Sequence, residues 1–517
     1  MAIYPWDFLS RSSWFSINKG LLYSPLVLSL LILLFINGFL KFKHRSHRNP
    51  PPSPPKLPII GNLHQLGRLP HRSLRSLSDK YGPLMLLKLG QIPALVISSA
   101  KIVEEMVKNH DVVFSDRPSM TAAKIMLYGR SDFFLAPYGE YWRTARKICV
   151  LELLSQKRVQ SFRFVREEEV ASLINRIRHE CCNGRSVNLS QMLLETSHTI
   201  SSRCIIGKKA KDDGNFGVFA KRFVRTFSDF SFGDLFPGLG WLDVLTGLIG
   251  RFKTTFNEMD AFLDSVIQEQ IKSSESNILD EDHSKKDLVQ ILLHLLQNDQ
   301  DTKLTMNNVK AILLDMFLAG TESTATTTEW AMAELLKNPR VLKRVQEEVR
   351  RVVNVKGKVE EDDINKMEYL KCIIKETLRI HPAAPLLVPR ETSARIKLNG
   401  YDILPKTRVL INAWMIQRDP QVWENPEEFI PERFENNTID FRGSNFEFIP
   451  FGVGRRGCPG ISFGVSVLEF FIANLLYWFD WKLADDADCV SLDMTETFFI
   501  AASKKLPLHL VPSAYCS

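Results

Sequence analysis

The sequence predicts a mainly α-helical domain with a small β-rich subdomain, preceded by one N-terminal transmembrane helix. Three observations predict it. An apolar run from Gly20 to Leu40 is followed at once by a basic cluster. Most of the chain beyond Pro58 carries apolar residues at helical spacing, and strand signals are confined to short stretches, the clearest from Leu84 to Ser98.

The first element is the apolar run GLLYSPLVLSLLILLFINGFL, long enough to cross a hydrocarbon core of about 30 Å. Lys41, Lys43, Arg45 and Arg48 follow it, so positive charge holds that side in the cytoplasm and leaves residues 1–19 as a short lumenal N-terminus. A cleavable signal peptide fits less well, because the run is long and no small-residue cleavage site precedes the basic block. Residues 41–58 form a basic and proline-rich hinge, stiff because each proline ring fixes φ and removes an amide donor. Residues 59–517 show no repeat and no low-complexity linker, which favours one large catalytic domain. Within it, Leu84–Ser98 reads as two strands around a Gly90 turn. Asn307–Leu336, Val341–Val353 and Met367–Ile380 read as helices, the last stopped by His381-Pro382.

Composition excludes several classes. The 517 residues are 45% hydrophobic and 24% charged, with a net charge of +7. No long basic run with interleaved aromatics points to nucleic acid. The eight cysteines are scattered without a CxxC pair, so neither a zinc site nor a disulfide framework is indicated.

Chemistry concentrates in Phe446–Gly464, FEFIPFGVGRRGCPGISFG, where glycines flank Cys458 and a helical pattern follows from Ser462 to Tyr477. Glycines let a backbone approach a flat ligand closely, and a thiolate beside a helix N-terminus is stabilised by amide donors. That suits an axial iron ligand. Gly452-x-Gly454-x-x-Gly457 also matches a dinucleotide fingerprint, but only sixty residues follow it, too few for the further strand–helix units of a doubly wound sheet.

Phe451-x-x-Gly454-x-Arg456-x-Cys458-x-Gly460 resembles the haem-binding signature of the cytochrome P450 superfamily at every fixed position. The resemblance implies that Cys458 ligates the iron of haem b, that Arg456 pairs with a propionate, and that Phe451, Gly452 and Gly460 shape the loop. Trp142-Arg143-x-x-Arg146 resembles the family's C-helix motif, implying that Trp142 and Arg146 reach one propionate together. Glu376-Thr377-Leu378-Arg379 and Pro431-Glu432-Arg433-Phe434 resemble the family's buried network, implying that Glu376, Arg379 and Arg433 support the cysteine loop. Ala319-Gly320-Thr321-Glu322-Ser323-Thr324 resembles its oxygen-activating motif, implying Glu322 as the acid and Ser323 as the alcohol of a proton relay, with Thr324 adjacent. Serine departs from the family pattern, where the alcohol is usually threonine, and it lacks the methyl group that restrains the rotamer.

The hinge followed by Leu57-Pro58-Ile59-Ile60-Gly61-Asn62, together with Trp330–Leu335 and Asp493–Glu496, is similar to plant microsomal A-type members of specialised metabolism. That resemblance implies a single-pass endoplasmic reticulum protein with a cytosolic catalytic domain. It implies electrons from NADPH through NADPH–cytochrome P450 reductase, with Arg143, Lys147 and Arg455 as contacts. It implies O2-dependent hydroxylation or epoxidation of a lipophilic terpenoid or alkaloid. The pocket implied draws on the Ser115–Tyr128 loop, on Leu314, Phe317, Leu318 and Ala319, on Ala384, Leu386 and Val388 of an Ala384–Val388 strand, and on Phe498 and Phe499. A haem-thiolate isomerase or dehydratase needing no reductase is the alternative, with a non-catalytic haem-binding protein as the second. Glu322-Ser323 favours oxygen activation over the isomerase or dehydratase, and NADPH consumption coupled to product would exclude the non-catalytic reading.

Overall fold

A computed structural model describes residues 49–207, 222–276, 287–298, 303–484, 492–498 and 501–515. The expected anchor, Gly20–Leu40, lies outside the described residues, as does Phe499. Helices dominate, and the strands gather into four small sheets.

The largest sheet has four strands. Leu84–Leu89 and Ile92–Ile97 form an antiparallel hairpin with Leu86 opposite Leu95. Ile92–Ile97 then pairs in parallel with Arg408–Ile411, and Arg390–Glu391 closes the far edge antiparallel to that strand. The end of the proline-rich segment is docked on this sheet: Leu86 donates its amide to the Pro52 carbonyl at 2.8 Å, and Asn62 Nδ2 donates to the Pro55 carbonyl at 3.1 Å. The proline carbonyls keep their acceptors although the rings have lost their donors.

The helical part is organised around Met306–Lys337, a helix of 32 residues. Its start is fixed by a capping box, in which the Asn308 amide donates to Thr305 Oγ1 and the Thr305 amide donates to Asn308 Oδ1. Its end is fixed by Pro339, which opens the next helix, Pro339–Val353. Both faces of the long helix are buried, from Asn308 to Phe317 and again from Thr324 to Leu336. Trp330 is sealed inside and donates Nε1–H to the Ala502 carbonyl at 3.0 Å, stacking on His381 with ring centroids 4.0 Å apart. Glu368–Ile380 and Ile461–Trp478 pack into the same core. Among the described residues, Ile461–Trp478 is the one helix long and apolar enough to cross a membrane. Val467–Tyr477 is buried apart from Glu469, so this apolarity serves the core.

One expected element is corrected. Ala384–Val388 is not a strand but a turn, with Leu387 at φ 53°, and pairing begins only at Arg390. Pro385 and Pro389 supply no amide to a ladder, and Arg117 Nη1 takes the Val388 and Pro389 carbonyls at 2.7 and 2.8 Å. The Ser115–Tyr128 segment is a loop at its start but contains a short helix, Thr121–Met126.

Candidate active site

Cys458 sits between a short 3-10 turn at Gly454–Arg456 and the N-terminus of Ile461–Trp478. Gly452 and Gly454 both take left-handed conformations, φ 73° and 64°, which turn the chain back so that the Cys458 amide donates to the Phe451 carbonyl at 2.9 Å. A side chain at Gly454 would place its Cβ 2.7 Å from Asp111 Oδ1. That carboxylate is already engaged, because the Arg455 amide donates to Oδ2 at 2.9 Å and Arg390 Nη1 donates to Oδ1 at 3.3 Å.

Cys458 is exposed, yet protein packs densely around it, which sets it in a recess. Burial pushes its pKa up, while the Gly460 amide and the Arg146 guanidinium favour the thiolate. The other buried thiols differ. Cys149 and Cys204 are sealed in the core, and desolvation pushes Cys204 to about 12. Arg146 makes no hydrogen bond or ion pair among the described residues, and burial opposes its charge while the Cys458 sulfur supports it. Its helix, Glu140–Ile148, directs Trp142 elsewhere, for Trp142 Nε1 donates to the Phe133 carbonyl at 3.0 Å. Arg456 donates to the Ser115, Phe133 and Ala136 carbonyls at 2.8, 3.4 and 2.6 Å and stacks over Trp142 at 4.3 Å. Of the three residues expected to reach a carboxylate, Trp142 and Arg456 thus spend donors on backbone carbonyls, whereas Arg146 keeps its guanidinium free among the described residues. The irregular segment near Phe133 has no ladder to satisfy its carbonyls, so it takes the donors of Trp142 and Arg456.

The opposite wall is the long helix. Its buried run is broken at Ala319, which is exposed, with Leu318, Gly320, Glu322 and Ser323 half-buried. The first turn and a half of Ile461–Trp478 is likewise half-buried, and the two helices meet where a Cβ on Gly320 would lie 3.7 Å from Phe463 and one on Gly464 3.9 Å from Thr324 Oγ1. Ser323 Oγ donates to the Ala319 carbonyl at 2.8 Å, and Thr321 and Thr327 make the same i−4 bond. Desolvation raises the pKa of Glu322 above the usual carboxylate range. Thr324 is buried and packs toward Gly464, so it is not on the Ala319–Ser323 face.

Behind the cysteine loop lies a sealed ionic network. Arg379 grips Glu376 with two bonds of 2.7 and 2.8 Å, and Arg433 Nε donates to Glu376 Oε1 at 3.0 Å. Arg379 also holds the Gln417, Pro426 and Glu428 carbonyls, while Gln417 Oε1 accepts from the Ile449 amide at 3.0 Å. Gln417 thereby links the network to the segment leading into the loop. Of the expected pocket residues, Leu314, Phe317 and Leu386 are buried in the core, whereas Leu318, Ala384, Val388 and Phe498 are half-buried.

Phe451, Gly452 and Gly460 are half-buried beside Cys458, so the site offers one thiol, one unpartnered guanidinium and small residues. Among the described residues no group of three or more His, Cys, Asp or Glu is arranged to hold a metal by itself. The residues fit a haem: Cys458 would supply its sulfur ligand and Arg146 a cation for its anionic groups, with small Ala319 and Gly320 leaving room on the long helix.

Comparison with known proteins gives a consistent result. The family model described as Cytochrome P450 matches residues 51–509. Cytochrome P450 71A1 of Persea americana is 53% identical over 462 residues, 88% of this chain and 92% of that protein. Phenylacetaldehyde oxime monooxygenase of Prunus mume is 50% identical, covering 90% and 89%. Strychnine-11-hydroxylase of Strychnos nux-vomica is 46% identical, covering 94% and 97%. A solved zebra fish cytochrome P450 structure with abiraterone superposes with a TM-score of 0.74 at 26% identity, covering 87% of this chain and all of that one.

Proposed function

Because this chain belongs to the cytochrome P450 family and is a monooxygenase of it, we propose that it inserts one oxygen atom from O2 into a lipophilic small molecule of plant specialised metabolism, an alkaloid or a terpenoid. Electrons come from NADPH through NADPH–cytochrome P450 reductase. The observation that carries the reading is the pairing of a recessed Cys458 with a long helix whose packed surface opens at Ala319 and presents Ser323 there. Relatives named as an oxime monooxygenase and a strychnine hydroxylase support a nitrogen-bearing substrate over a terpenoid.

Haem, when bound to Cys458 and Arg146, supplies iron that activates O2 by thiolate donation. The chain's own residues do the rest. Apolar Leu318, Val388 and Phe498 place a lipophilic substrate against the open stretch of helix and exclude water from it. Ser323 holds its hydroxyl on the Ala319 carbonyl, and Glu322, kept protonated more readily by burial, is the proton source beside it. Exposed Arg143, Lys147 and Arg455 offer a basic face to an acidic electron donor. Residues 20–40 anchor the domain to the endoplasmic reticulum with the active site in the cytosol.

The test is the reduced, carbon monoxide-bound difference spectrum of wild type beside Cys458→Ala, followed by product analysis with reductase, NADPH and isotopically labelled O2. A strongly red-shifted Soret band lost in the variant, with labelled oxygen in the product, is the expected result. A wild type with no such band refutes the reading, and product formed without reductase would favour the isomerase alternative.

A further inference from the structure

The helix Pro70–Tyr81 lies against the four-stranded sheet, where its Leu74 is sealed in an apolar cluster with Met85, Leu87 and Leu386. Its second residue, His71, is fully buried. Nε2 of that ring is 3.0 Å from Glu496 Oε1, and Arg72 Nε donates to the same oxygen. A carboxylate only accepts, so Nε2 carries the hydrogen. Nδ1 is buried with no hydrogen-bond partner among the described residues. Burying a bare ring nitrogen carries a cost that an apolar side chain would avoid. What the histidine contributes is therefore the Nε2 bond and the ring surface beside it.

That surface joins two pieces of the pocket wall. The His71 ring meets Phe498 at 5.9 Å and Trp414 at 5.2 Å between centroids, edge to face in both cases. Phe498 stands two residues beyond Glu496 in the strand Glu496–Phe498, so both side chains leave the same side of it. Trp414 belongs to the short helix Ala413–Ile416, and its amide donates to the Pro385 carbonyl at 3.1 Å. Ala502, opposite Phe498 in the hairpin, donates its amide to the Ala383 carbonyl at 2.9 Å. The turn held in this way carries Leu386 and Val388 and reaches the cysteine loop, since a Cβ on Gly452 would lie 3.9 Å from Leu387 Cδ1. Asn412 Nδ2 in turn donates to the His71 carbonyl at 2.9 Å. One buried ring thus spans the strand that carries Phe498 and the helix that holds the turn.

We propose that His71 is a positioning residue for substrate selection: its bond to Glu496 and its contacts with Trp414 and Phe498 hold the strand and the 384–389 turn in one register, and so set the space left for a substrate's bulk beside Phe498 and Val388. His71 acts through these neighbours and touches no substrate. Its loss therefore changes which ligands fit and leaves the site able to take a small one. The proposal rests on the monooxygenase reading for where the substrate lies, whereas the bonds around His71 do not depend on it.

Two azoles separate the effects in the haem-loaded protein. Imidazole needs only the iron, whereas 4-phenylimidazole must also seat its phenyl group against the pocket wall. The ratio of their spectral dissociation constants is the first readout. Hydrogen exchange at the Trp414 and Ala502 amides is the second, and it is independent of haem. His71→Gln carries an amide N–H to the reach of Nε2, while His71→Asn stops a bond short of it. His71→Gln should hold the ratio within about twofold and keep both amides protected. His71→Asn should weaken 4-phenylimidazole roughly tenfold, leave imidazole unchanged and lose protection at both amides. Phe498→Ala should weaken 4-phenylimidazole by a similar factor, and combining it with His71→Asn should add no more than about twofold. If His71→Asn does not fold, Glu496→Asp, which draws the carboxylate back by one methylene and keeps its charge, takes its place with the same expectations. The proposal is overturned by His71→Asn matching wild type in ratio and protection, by His71→Gln behaving like His71→Asn, or by losses that add in full in the double variant. A wild type that binds neither azole, with both amides protected, would instead sink the haem-dependent reading alone.

Discussion

Glu376→Ala tests whether the cysteine loop depends on the ionic network behind it. Glu376 and Arg379 are fully buried, and the Glu376 carboxylate accepts four hydrogen bonds: two from Arg379, one from Arg433 Nε and one from the Ile430 amide at 2.9 Å. Alanine leaves two guanidinium groups without their anion in a site that water does not reach. Arg379 retains three carbonyl partners, but those offset only part of a positive charge in low dielectric. Breaking such a buried pair from one side costs about 3–5 kcal/mol. In a chain this large each kcal/mol moves the melting temperature by no more than about 2 °C, so the midpoint should fall by up to about 10 °C. The route from Arg379 through Gln417 to Ile449 predicts that the loop suffers along with global stability. The assay is a thermal ramp followed both by circular dichroism and by the thiolate-type carbon monoxide band. The band should decay before the helical signal in the variant. Glu376→Gln, which keeps one acceptor but no charge, should fall between. A variant that melts within about 1 °C of wild type and keeps its band throughout would refute the structural role assigned to this network.

Other predictions follow from single contacts. Ser323→Ala should lower product formation about a hundredfold while NADPH oxidation falls much less, read as product per NADPH; Ser323→Thr should retain coupling, since it keeps the hydroxyl that bonds the Ala319 carbonyl. Gly454→Ala forces a Cβ into Asp111 at φ 64° and should cost about 1–3 kcal/mol together with haem retention, measured as the ratio of Soret to protein absorbance. Glu496 is held at about 2: burial raises its pKa, but the His71 hydrogen bond and charge and the Arg72 contact together outweigh burial. Its folded pKa is depressed, so its stability is present above the unfolded value near 4.5 and is lost as pH falls from there toward 2. Glu496→Gln should therefore cost about 3 kcal/mol in urea melts at neutral pH, and the difference from wild type should shrink as the buffer is taken below about pH 4.5.

Much of the architecture was legible because it rests on local signals. The long helix expected over Asn307–Leu336 runs from Met306 to Lys337, and His381-Pro382 ends Glu368–Ile380 where expected. Cys458 was legible because its glycines are close neighbours in sequence. The misses share a cause. Apolar Ala384–Val388 reads as a strand until one asks where its hydrogen bonds go, and the answer, Arg117, lies some 270 residues away. The bonds that Trp142 and Arg456 make to an irregular segment were not foreseen either, because the needs of that segment do not show in a linear reading. Thr324 was placed with the relay by adjacency, and the 100° step between helical neighbours turns it toward Gly464. Asp315 offered a signal that went unread, a lone acid inside the apolar stretch Ala311–Ala319. Such a residue in a buried helix needs a partner, and the structure supplies the Phe133 and Phe134 amides at 2.9 and 3.3 Å.

The serine in the relay position is best understood through the same accounting of backbone groups. A threonine methyl restrains its hydroxyl sterically, whereas Ser323 is restrained by donation to the Ala319 carbonyl at 2.8 Å. That bond ties the relay hydroxyl to the very residue at which the helix surface opens, and Thr327 in turn donates to the Ser323 carbonyl. Position and orientation are then set by a chain of i−4 bonds along one face, not by a branched side chain. The cost is that the hydroxyl must leave the Ala319 carbonyl to pass a proton on. A bond worth about 1 kcal/mol is weak enough to break and remake, so in the proposed relay a serine keeps the hydroxyl available while making the geometry of Ala319 matter more.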